Sequence, residues 1–311
     1  MLIVDTLAPL VLLIALGAAL AHIRFLGTEF MGDLNKLAFW ITLPSLLFRS
    51  AAHATDAGRH TWLLLGVVLT STIVISVIAW MVSRVTGVPT SARGTLVQSA
   101  FRGNLAYIGI PVVAYSTADM PDGASQLMAT AAIVMALTMA FYNVLAVAVL
   151  QASRPRASHV NTAAVLRSMF LNPLLLSGLG GLVVPLLGLT LPGFLDETLN
   201  SLGSASVPIA LLCIGGSLAT VPLEGRRLWI GAAALLKVAV LPVVVYVLAE
   251  AAGLTRIEER IALVFAAAPT AVASYIMVKQ MDGDEALASG AITVSTILST
   301  FSLAAALWFT S

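Results

Sequence analysis

The chain has 311 residues, of which 59% are hydrophobic and only 10% are charged, and its mean hydropathy is +0.99. A soluble domain carries about 25% charged residues, so this composition excludes an ordinary soluble fold and predicts an all-α integral membrane protein. The formal net charge of +1 gives no reason to expect nucleic-acid binding.

Ten segments of the chain are candidates for helices that cross a bilayer, which need about 20 mostly apolar residues. The predicted spans are residues 6–23, 33–50, 61–83, 94–116, 125–151, 162–188, 197–219, 227–250, 258–280 and 285–309. The first of them could be mistaken for a cleaved signal peptide. No Lys or Arg precedes its apolar run, however, so we interpret it as the first span.

The positions of Lys and Arg predict the orientation of these spans, because positive residues collect on the cytoplasmic side. One side carries Arg24, Lys36, Arg84, Arg93, Arg154, Arg156, Arg167, Arg226, Arg227 and Lys279, and the other has only Arg49, Arg59, Arg256 and Arg260. The first set should therefore be cytoplasmic, which leaves both termini outside.

The two halves of the chain show a weak internal repeat. At one offset of 164 residues, four pairs of identical residues recur: Pro9 and Pro173, Gly17 and Gly181, Phe30 and Phe194, Pro44 and Pro208. Since each half would have five spans, an odd number, the second half must enter the membrane from the opposite face. We therefore predict a 5+5 inverted repeat, residues 1–151 and 152–311, an architecture common among secondary transporters.

The fourth and ninth predicted spans contain residues that interrupt helices. These residues and their polar neighbours are Gly103, Asn104, Gly109 and Pro111 in the fourth span, and Pro269, Thr270, Ser274 and Tyr275 in the ninth. Two interrupted segments in corresponding positions of two halves point to the binding site of a transporter. The alternative is a pair of proline kinks whose freed backbone groups are satisfied by neighbouring helices.

These segments also carry a resemblance to a known family. The pattern Asn104-x4-Gly109-Ile110-Pro111 resembles the fourth-span signature of the auxin efflux carrier family, whose members include plant auxin exporters and bacterial malate or malonate permeases. Residues 267–280 resemble its ninth span, residues 43–48 its second, and "NPLLL" and "SVPIALLCIGGSLA" its sixth and seventh. The likeness covers essentially the whole chain.

The resemblance implies a scaffold of spans 1, 2, 6 and 7 and a transport domain of spans 3–5 and 8–10, working by elevator-type alternating access in the bacterial inner membrane. It implies that spans 4 and 9 cross where they unwind and hold a substrate carboxylate there. Pro111 falls on the first crossover position of the family. Ser274 falls on the second, where plant members have proline, and Pro269 matches an earlier proline of the motif.

The polar residues of the predicted spans leave several interpretations open. Asn104 can donate two hydrogen bonds to a carboxylate or can satisfy unwound backbone. Arg102 can neutralise an anionic substrate or extend toward cytoplasmic water. Lys237 can be a second anion contact, a titrating lysine, or a donor to carbonyls freed by the breaks. The predicted substrate-binding residues are thus Arg102, Asn104, Gly109, Pro111, Lys237, Thr270, Ser274 and Tyr275.

Acidic residues are expected only in loops or at span ends, so no buried carboxylate is predicted to relay protons or bind sodium. This favours uniport, or coupling through the proton of the substrate itself. A sodium-coupled bile-acid-type symporter of the same fold is the main alternative, and a channel or membrane receptor is a more remote one.

The four histidines fall at span ends or in loops, so neither an enzyme nor a metal or other cofactor is expected. The expected partners are a small organic anion and the lipid bilayer, and the resemblance also allows a homodimer.

Overall fold

Helices form nearly all of the computed structural model, which describes residues 2–54, 59–117, 124–153, 162–220 and 225–310. The α-helices are α1 (Leu2–His22), α2 (Thr28–Leu37), α3 (Leu43–Ala52), α4 (Arg59–Val85), α5 (Thr90–Phe101), α6 (Ile110–Thr117), α7 (Ala124–Ala152), α8 (Thr162–Phe170), α9 (Pro173–Leu186), α10 (Gly193–Ser204), α11 (Ser206–Thr220), α12 (Arg227–Leu235), α13 (Leu241–Ala252), α14 (Arg256–Ala267), α15 (Ala273–Gln280) and α16 (Glu285–Phe309). Three π-helical turns, π1 (Ala38–Thr42), π2 (Leu105–Gly109) and π3 (Leu236–Val240), join consecutive helices. Within the described ranges the structure contains no strand, so the all-α prediction is confirmed.

Several of these helices have the length and apolar composition that a bilayer requires. Five described stretches qualify outright: His60–Val85, Ala124–Ala152, Gly193–Ser217, Arg227–Ala252 and Glu285–Phe309. Shorter apolar helices are Leu7–His22, Leu105–Thr117 and Pro173–Leu186. The class of integral membrane protein follows from these helices together with the composition, whereas the count of ten spans stays a prediction. Arg154 and Arg156, which were counted toward the predicted orientation, lie outside the described residues.

The prediction of one continuous span over residues 162–188 is wrong. Helix α8 ends at Phe170 and α9 begins at Pro173, and the side chain of Asn172 caps α9 by accepting a hydrogen bond from the N–H of Leu174 at 2.8 Å. A proline disfavours helical backbone in the residue before it, but it fits the first position of a helix, where no N–H is needed. The continuous apolar helix is therefore limited to Pro173–Leu186.

The π-helical turns share a position relative to proline. The turns π1, π2 and π3 each end two residues before a proline, namely Pro44, Pro111 and Pro242. In a regular α-helix a proline lacks one N–H donor and its ring clashes with the carbonyl four residues earlier. A π turn is one residue wider and relieves this clash. These three prolines therefore widen their helices rather than end them.

One of two compact units comprises Met1–Trp62, Ala106–Leu137 and Leu171–Val221. Within it α1 packs along α11, and α3 packs along α9 and α10. The first pair approaches backbone to backbone at glycines. A Cβ added to Gly17 would overlap the carbonyl oxygen of Leu212, and one added to Gly215 would overlap the carbonyl oxygen of Ile14. Small residues that bring two backbones together in this way are typical of helix pairs in membranes.

An ion pair fixes the end of α3 to the start of α10 in the same unit. Arg49 donates from Nε to Oδ1 of Asp196 at 2.8 Å and from Nη2 to Oδ2 at 3.0 Å, and Nε2 of His53 lies 2.7 Å from Oδ1. The bidentate geometry is the strong form of an arginine–carboxylate pair. Asp196 also lies in the first turn of α10, where the helix dipole favours a negative charge.

The other compact unit comprises Leu63–Leu105, Thr138–Phe170 and Pro222–Ser311. In its core, α5, α12 and α16 pack against one another, α14 packs against α16, and all four helices contact π3. Buried Arg260 of α14 donates to the backbone carbonyl and the hydroxyl of Thr310, which holds the end of α16. Both units draw residues from each half of the chain, and the division into two repeats of five spans stays a prediction.

Candidate functional site

Two helices of the second unit are interrupted, and the interruptions fall in the fourth and ninth predicted spans. Helix α5 ends at Phe101 and helical structure resumes at Leu105, so the backbone of residues 102–104 is not helical. Likewise α14 ends at Ala267 and α15 begins at Ala273, which leaves residues 268–272 outside either helix. Each break exposes backbone groups that a continuous helix would have paired.

The two breaks pair with each other through their backbones. Gly103 and Thr270 form an isolated antiparallel β-bridge. Two hydrogen bonds flank it: the N–H of Asn104 donates to the carbonyl of Pro269 at 2.7 Å, and the N–H of Ala271 donates to the carbonyl of Arg102 at 2.8 Å. In the interior of a membrane protein, non-helical backbone is tolerated only where such partners exist or where it lines a wet cavity. We call this arrangement the crossing.

Side chains satisfy further backbone groups that the breaks set free. In a continuous helix the carbonyl of Ser99 would accept from the N–H of Gly103, but here the Thr270 hydroxyl donates to it at 2.8 Å. The N–H of Thr270 in turn donates to Oγ of Ser295 in α16 at 3.0 Å. Thr270 is fully buried. The hydroxyl and the N–H of Thr270 thus both form hydrogen bonds that stabilise the crossing.

Three buried oxygen atoms near the crossing have no hydrogen-bond partner among the described residues. They belong to Gln98 (Oε1), Ser99 (Oγ) and Ser274 (Oγ). Gln98 also ties α5 to α15, because its Nε2 donates to the carbonyl of Ser274 at 3.0 Å. Buried polar atoms normally form hydrogen bonds with protein groups or with ordered water, so these three oxygens are available to form hydrogen bonds with a ligand or with water. Sequence reasoning missed Gln98 and Ser99; their polarity within an apolar segment was the available signal.

Asn104 lies directly before the helix that resumes at Leu105. Its side chain is buried, with 7% of its surface exposed. The first N–H groups of any helix have no intrahelical acceptor and carry a partial positive charge, so a helix start favours anions. A side-chain amide at that position adds two further donors. Binding of a carboxylate at Asn104 stays a prediction.

Arg102 is buried, with 7% of its surface exposed, rather than extended into water. Its Nη2 donates to the side-chain oxygen of Asn143 in α7 at 2.8 Å, and its Nη1 lies 3.3 Å from Sδ of Met277 in α15. Both partners are uncharged. The guanidinium therefore has hydrogen bonds but no ion pair among the described residues.

Lys237 lies in π3 and is fully buried. Its ammonium donates to the carbonyl of Ala266, whose usual partner would be the N–H of Thr270. A Cβ built on Gly103 would lie 3.4 Å from Cε of Lys237, so the end of the lysine side chain lies against the crossing. Of the three interpretations of Lys237, the contact with a carbonyl freed by a break is thus present in the structure.

The remaining predicted site residues lie further along their helices. The resemblance implies a crossover at Pro111, but the non-helical residues are 102–104. The π2 turn, which ends at Gly109, accommodates Pro111 without a break in the helix. Ser274 is the second residue of α15, so the second break coincides with Pro269 and not with Ser274. The hydroxyl of Tyr275 donates to Glu285 at 2.6 Å, at the start of α16.

Two acidic residues at the start of α14 lie at a span end, as predicted, but their side chains are buried, which the sequence does not predict. Glu258 and Glu259 are 8% and 2% exposed. Glu258 forms a capping box with Thr255, and Glu259 accepts a hydrogen bond from Arg256 at 2.8 Å. That bond, with the nearby charges of Glu259 and Glu250, raises the pKa of Arg256. Composition does not reveal this burial, because it depends on two local contacts: the capping box with Thr255 and the ion pair with Arg256, which offset the cost of burying the two carboxylates.

The role of Thr270 can be tested by removing its hydroxyl alone. We expect Thr270→Val, which keeps the shape of the side chain, to lower the free energy of unfolding by about 1–3 kcal/mol, because the buried carbonyl of Ser99 loses its donor. Thermal unfolding of the purified protein in detergent measures this effect. Thr300→Val, at an exposed position of α16, is the matched control and should change little. Equal stability of both variants would contradict the role assigned to Thr270.

The described residues form several apolar helices and two interrupted helices that pair at their breaks, which are features of a membrane transport protein. The sequence comparison agrees, since residues 2–307 match the family described as "Membrane transport protein". The chain belongs to this family, which is the auxin efflux carrier family.

Similar proteins cover nearly the full length of the chain. A transporter of Methanocaldococcus jannaschii, named as uncharacterized, is 23% identical over 311 residues, which is 98% of this chain and 97% of the relative. A Rhizobium meliloti protein with the provisional name of a malonate transporter is 26% identical over 298 residues, covering 92% of this chain and 89% of the relative. An uncharacterized transporter of Methanothermobacter thermautotrophicus is 25% identical over 307 residues, covering 96% and 95%.

Proposed function

We propose that the protein is a secondary transporter of small organic anions, of the mono- or dicarboxylate type that includes malate, malonate and auxin-like acids. One observation carries this proposal: two interrupted helices pair through their backbones at Gly103 and Thr270, beside a buried asparagine at a helix start. Broken helices whose ends face a ligand are the usual site architecture of secondary transporters.

Recognition of the anion follows from the groups at the crossing. Helices begin at Leu105 and at Ala273, just after the two breaks. Their first N–H groups supply partial positive charge to a carboxylate without any further basic residue. Asn104 adds directional donors, and the unpaired oxygens of Ser99 and Ser274 supply hydroxyls that either donate or accept.

The proposed architecture is the ten-span 5+5 inverted repeat, with spans 4 and 9 as the broken pair. The repeat of residues at an offset of 164, together with five long apolar helices and several shorter ones, supports it. In this proposal the transport domain carries the crossing across the membrane by alternating access. The proposed location is the bacterial inner membrane, with both termini outside. A homodimer is compatible with this architecture.

A thermal-shift panel on the purified protein tests the proposed substrate class. The panel contains malonate, malate, acetate and indole acetate, with malonamide as an uncharged control of the same skeleton as malonate. The provisional name of the Rhizobium meliloti relative is the reason to include malonate. We expect at least one carboxylate to raise the unfolding temperature while malonamide does not. A panel in which no carboxylate has an effect would contradict the proposal.

Transport is expected to proceed without sodium, which separates this proposal from a sodium-coupled bile-acid-type symporter. Among the described residues, the buried carboxylates Glu258 and Glu259 are held by Thr255 and Arg256, at the far end of α14 from its break. Within the part of the chain that the structure describes, no carboxylate contact is found at residues 102–104 or 269–271, where a sodium ion would need oxygen ligands. Uptake into proteoliposomes with choline in place of sodium, at a constant proton gradient, measures this. Uptake that stops in choline would favour the symporter.

A further inference from the structure

Three arginines from two distant segments of the second compact unit come together at one turn. Arg84 lies at the end of α4 and Arg93 lies in the first turn of α5, on either side of the turn that joins these helices. Arg226 directly precedes α12. The indole N–H of Trp229, in the first turn of α12, donates to the carbonyl of Thr86 in the α4–α5 turn at 3.3 Å. We call Arg84, Arg93 and Arg226 the arginine cluster.

Two of these guanidinium groups are held in place without being neutralised. Nε of Arg93 donates to the carbonyl of Val88 in the α4–α5 turn at 3.1 Å, and Cζ of Arg226 lies 4.8 Å from the centre of the Trp229 ring. Both contacts are with uncharged groups, and the ion pairs found among the described residues include no member of the arginine cluster. A guanidinium has five N–H donors, so most of the donors of Arg93 and Arg226 are not used by these contacts.

The closest acidic side chains along the neighbouring helix have other contacts. The start of α16 lies near α12, since a Cβ on Gly225 would be 3.3 Å from the carbonyl carbon of Ala286. Asp284 caps α16, and Glu285 accepts a hydrogen bond from the hydroxyl of Tyr275 at 2.6 Å. The recorded contacts of these two carboxylates thus stabilise the start of α16 and do not involve the arginine cluster.

Exposed apolar side chains border the arginine cluster. Val85, directly after Arg84, is 86% exposed, and Leu228, directly before Trp229, is 57% exposed. Positive residues collect on the cytoplasmic side of any membrane protein. That tendency does not account for guanidinium groups from two distant segments that are fixed at one turn beside exposed apolar surface. A ligand that fits both features has an anionic group and an apolar part.

We propose that the arginine cluster binds the headgroup phosphate of one anionic phospholipid, whose acyl chains lie along Val85 and Leu228. The planar fork of a guanidinium matches the oxygens of a phosphate in a bidentate way. The predicted orientation places the cluster on the cytoplasmic side, where anionic lipids give the membrane surface a negative potential. This inference goes beyond the proposed transport function and does not depend on which anion is carried.

Thermal unfolding of the purified wild-type protein in a neutral detergent tests the proposal with three additives: phosphatidylglycerol, phosphatidylcholine and glycerol 3-phosphate. We expect phosphatidylglycerol to raise the unfolding temperature by about 3 °C or more, because it binds the folded state, while the other two have little effect. An equal rise with phosphatidylcholine would show a general effect of lipid, and an equal rise with glycerol 3-phosphate would show a site for free phosphate. Either result would overturn the proposal. No response to phosphatidylglycerol would also overturn it and would favour an acidic soluble protein as the partner of this surface.

Variants of the arginine cluster show whether it is the site of binding. We expect the double variant Arg84→Gln with Arg226→Gln to lose most of the response to phosphatidylglycerol, while its unfolding temperature without lipid stays near that of the wild type, since both side chains are exposed. Arg24→Gln is the matched control, because Arg24 is an exposed arginine of the first unit on the same predicted side of the membrane. A double variant that responds like the wild type, or a control that loses the response equally, would overturn the assignment. If the double variant does not fold, Arg84→Gln alone allows the same comparison.

Discussion

Asn104→Ala is expected to abolish detectable substrate binding while the protein stays folded. The substitution removes the two amide donors beside the helix that starts at Leu105, where the proposed carboxylate binds. A hydrogen bond to a charged group contributes about 1.5–3 kcal/mol, so losing two of them lowers the affinity by about a hundredfold or more. The backbone N–H of Asn104, which donates to Pro269, remains in the variant. Titration with the tightest-binding carboxylate of the panel measures the affinity, and thermal unfolding checks the fold.

Asn200→Ala is the matched control for this experiment. Asn200 is an exposed asparagine of α10, in the other compact unit, and its loss should leave both affinity and stability unchanged. Unaltered affinity in Asn104→Ala would place the substrate elsewhere. If the variant unfolds instead, Asn104 serves mainly to satisfy unwound backbone, the second interpretation that the sequence leaves open.

Gly215→Ala is expected to have the largest effect on stability. A Cβ at this position would overlap the carbonyl oxygen of Ile14, and a backbone atom of a packed helix cannot move aside without separating α1 from α11. Overpacking of this kind costs about 3 kcal/mol, at the upper end of the usual range. We therefore expect a clear fall in the unfolding temperature and in the yield of folded protein.

The neighbouring glycine provides the control for this prediction. The atoms that a Cβ on Gly216 would meet belong to the side chain of Met31, with the terminal methyl group nearest, and this flexible side chain can adopt another rotamer. Gly216→Ala should therefore be tolerated, although the chemical change and the helix are the same. Similar unfolding temperatures for the two variants would contradict the close backbone contact between α1 and α11.

The sequence was sufficient to predict the class of protein and the presence of interrupted helices. A composition this apolar is explained only by a protein whose surface faces lipid. The glycines, asparagine and proline around Asn104 and Pro269 cannot all lie in a regular helix, because glycine and proline destabilise one. The boundaries were less predictable. Hydropathy does not detect a helix cap, so it does not predict the end of α8 before Asn172. A break is predicted at Pro111, but a π-helical turn accommodates this proline.

The partners at the crossing were beyond the reach of sequence patterns. Thr270 bonds to Ser99, 171 residues away, and Gln98 bonds to Ser274, 176 residues away. No local periodicity encodes such contacts, because they depend on how separate helices pack. Ser295 belongs to a stripe of small polar residues in α16 that is typical of helix packing, and its contact with the N–H of Thr270 became visible only in three dimensions.

The central claim, that the crossing carries an organic anion across the membrane, is tested most directly by counterflow. Proteoliposomes are loaded with the unlabelled carboxylate that binds most tightly in the panel, and labelled carboxylate is added outside. The claim predicts that label accumulates transiently above its equilibrium level with the wild-type protein and not with Asn104→Ala. Label that only equilibrates with the wild-type protein, as through a channel, or an overshoot that persists in Asn104→Ala, would contradict it.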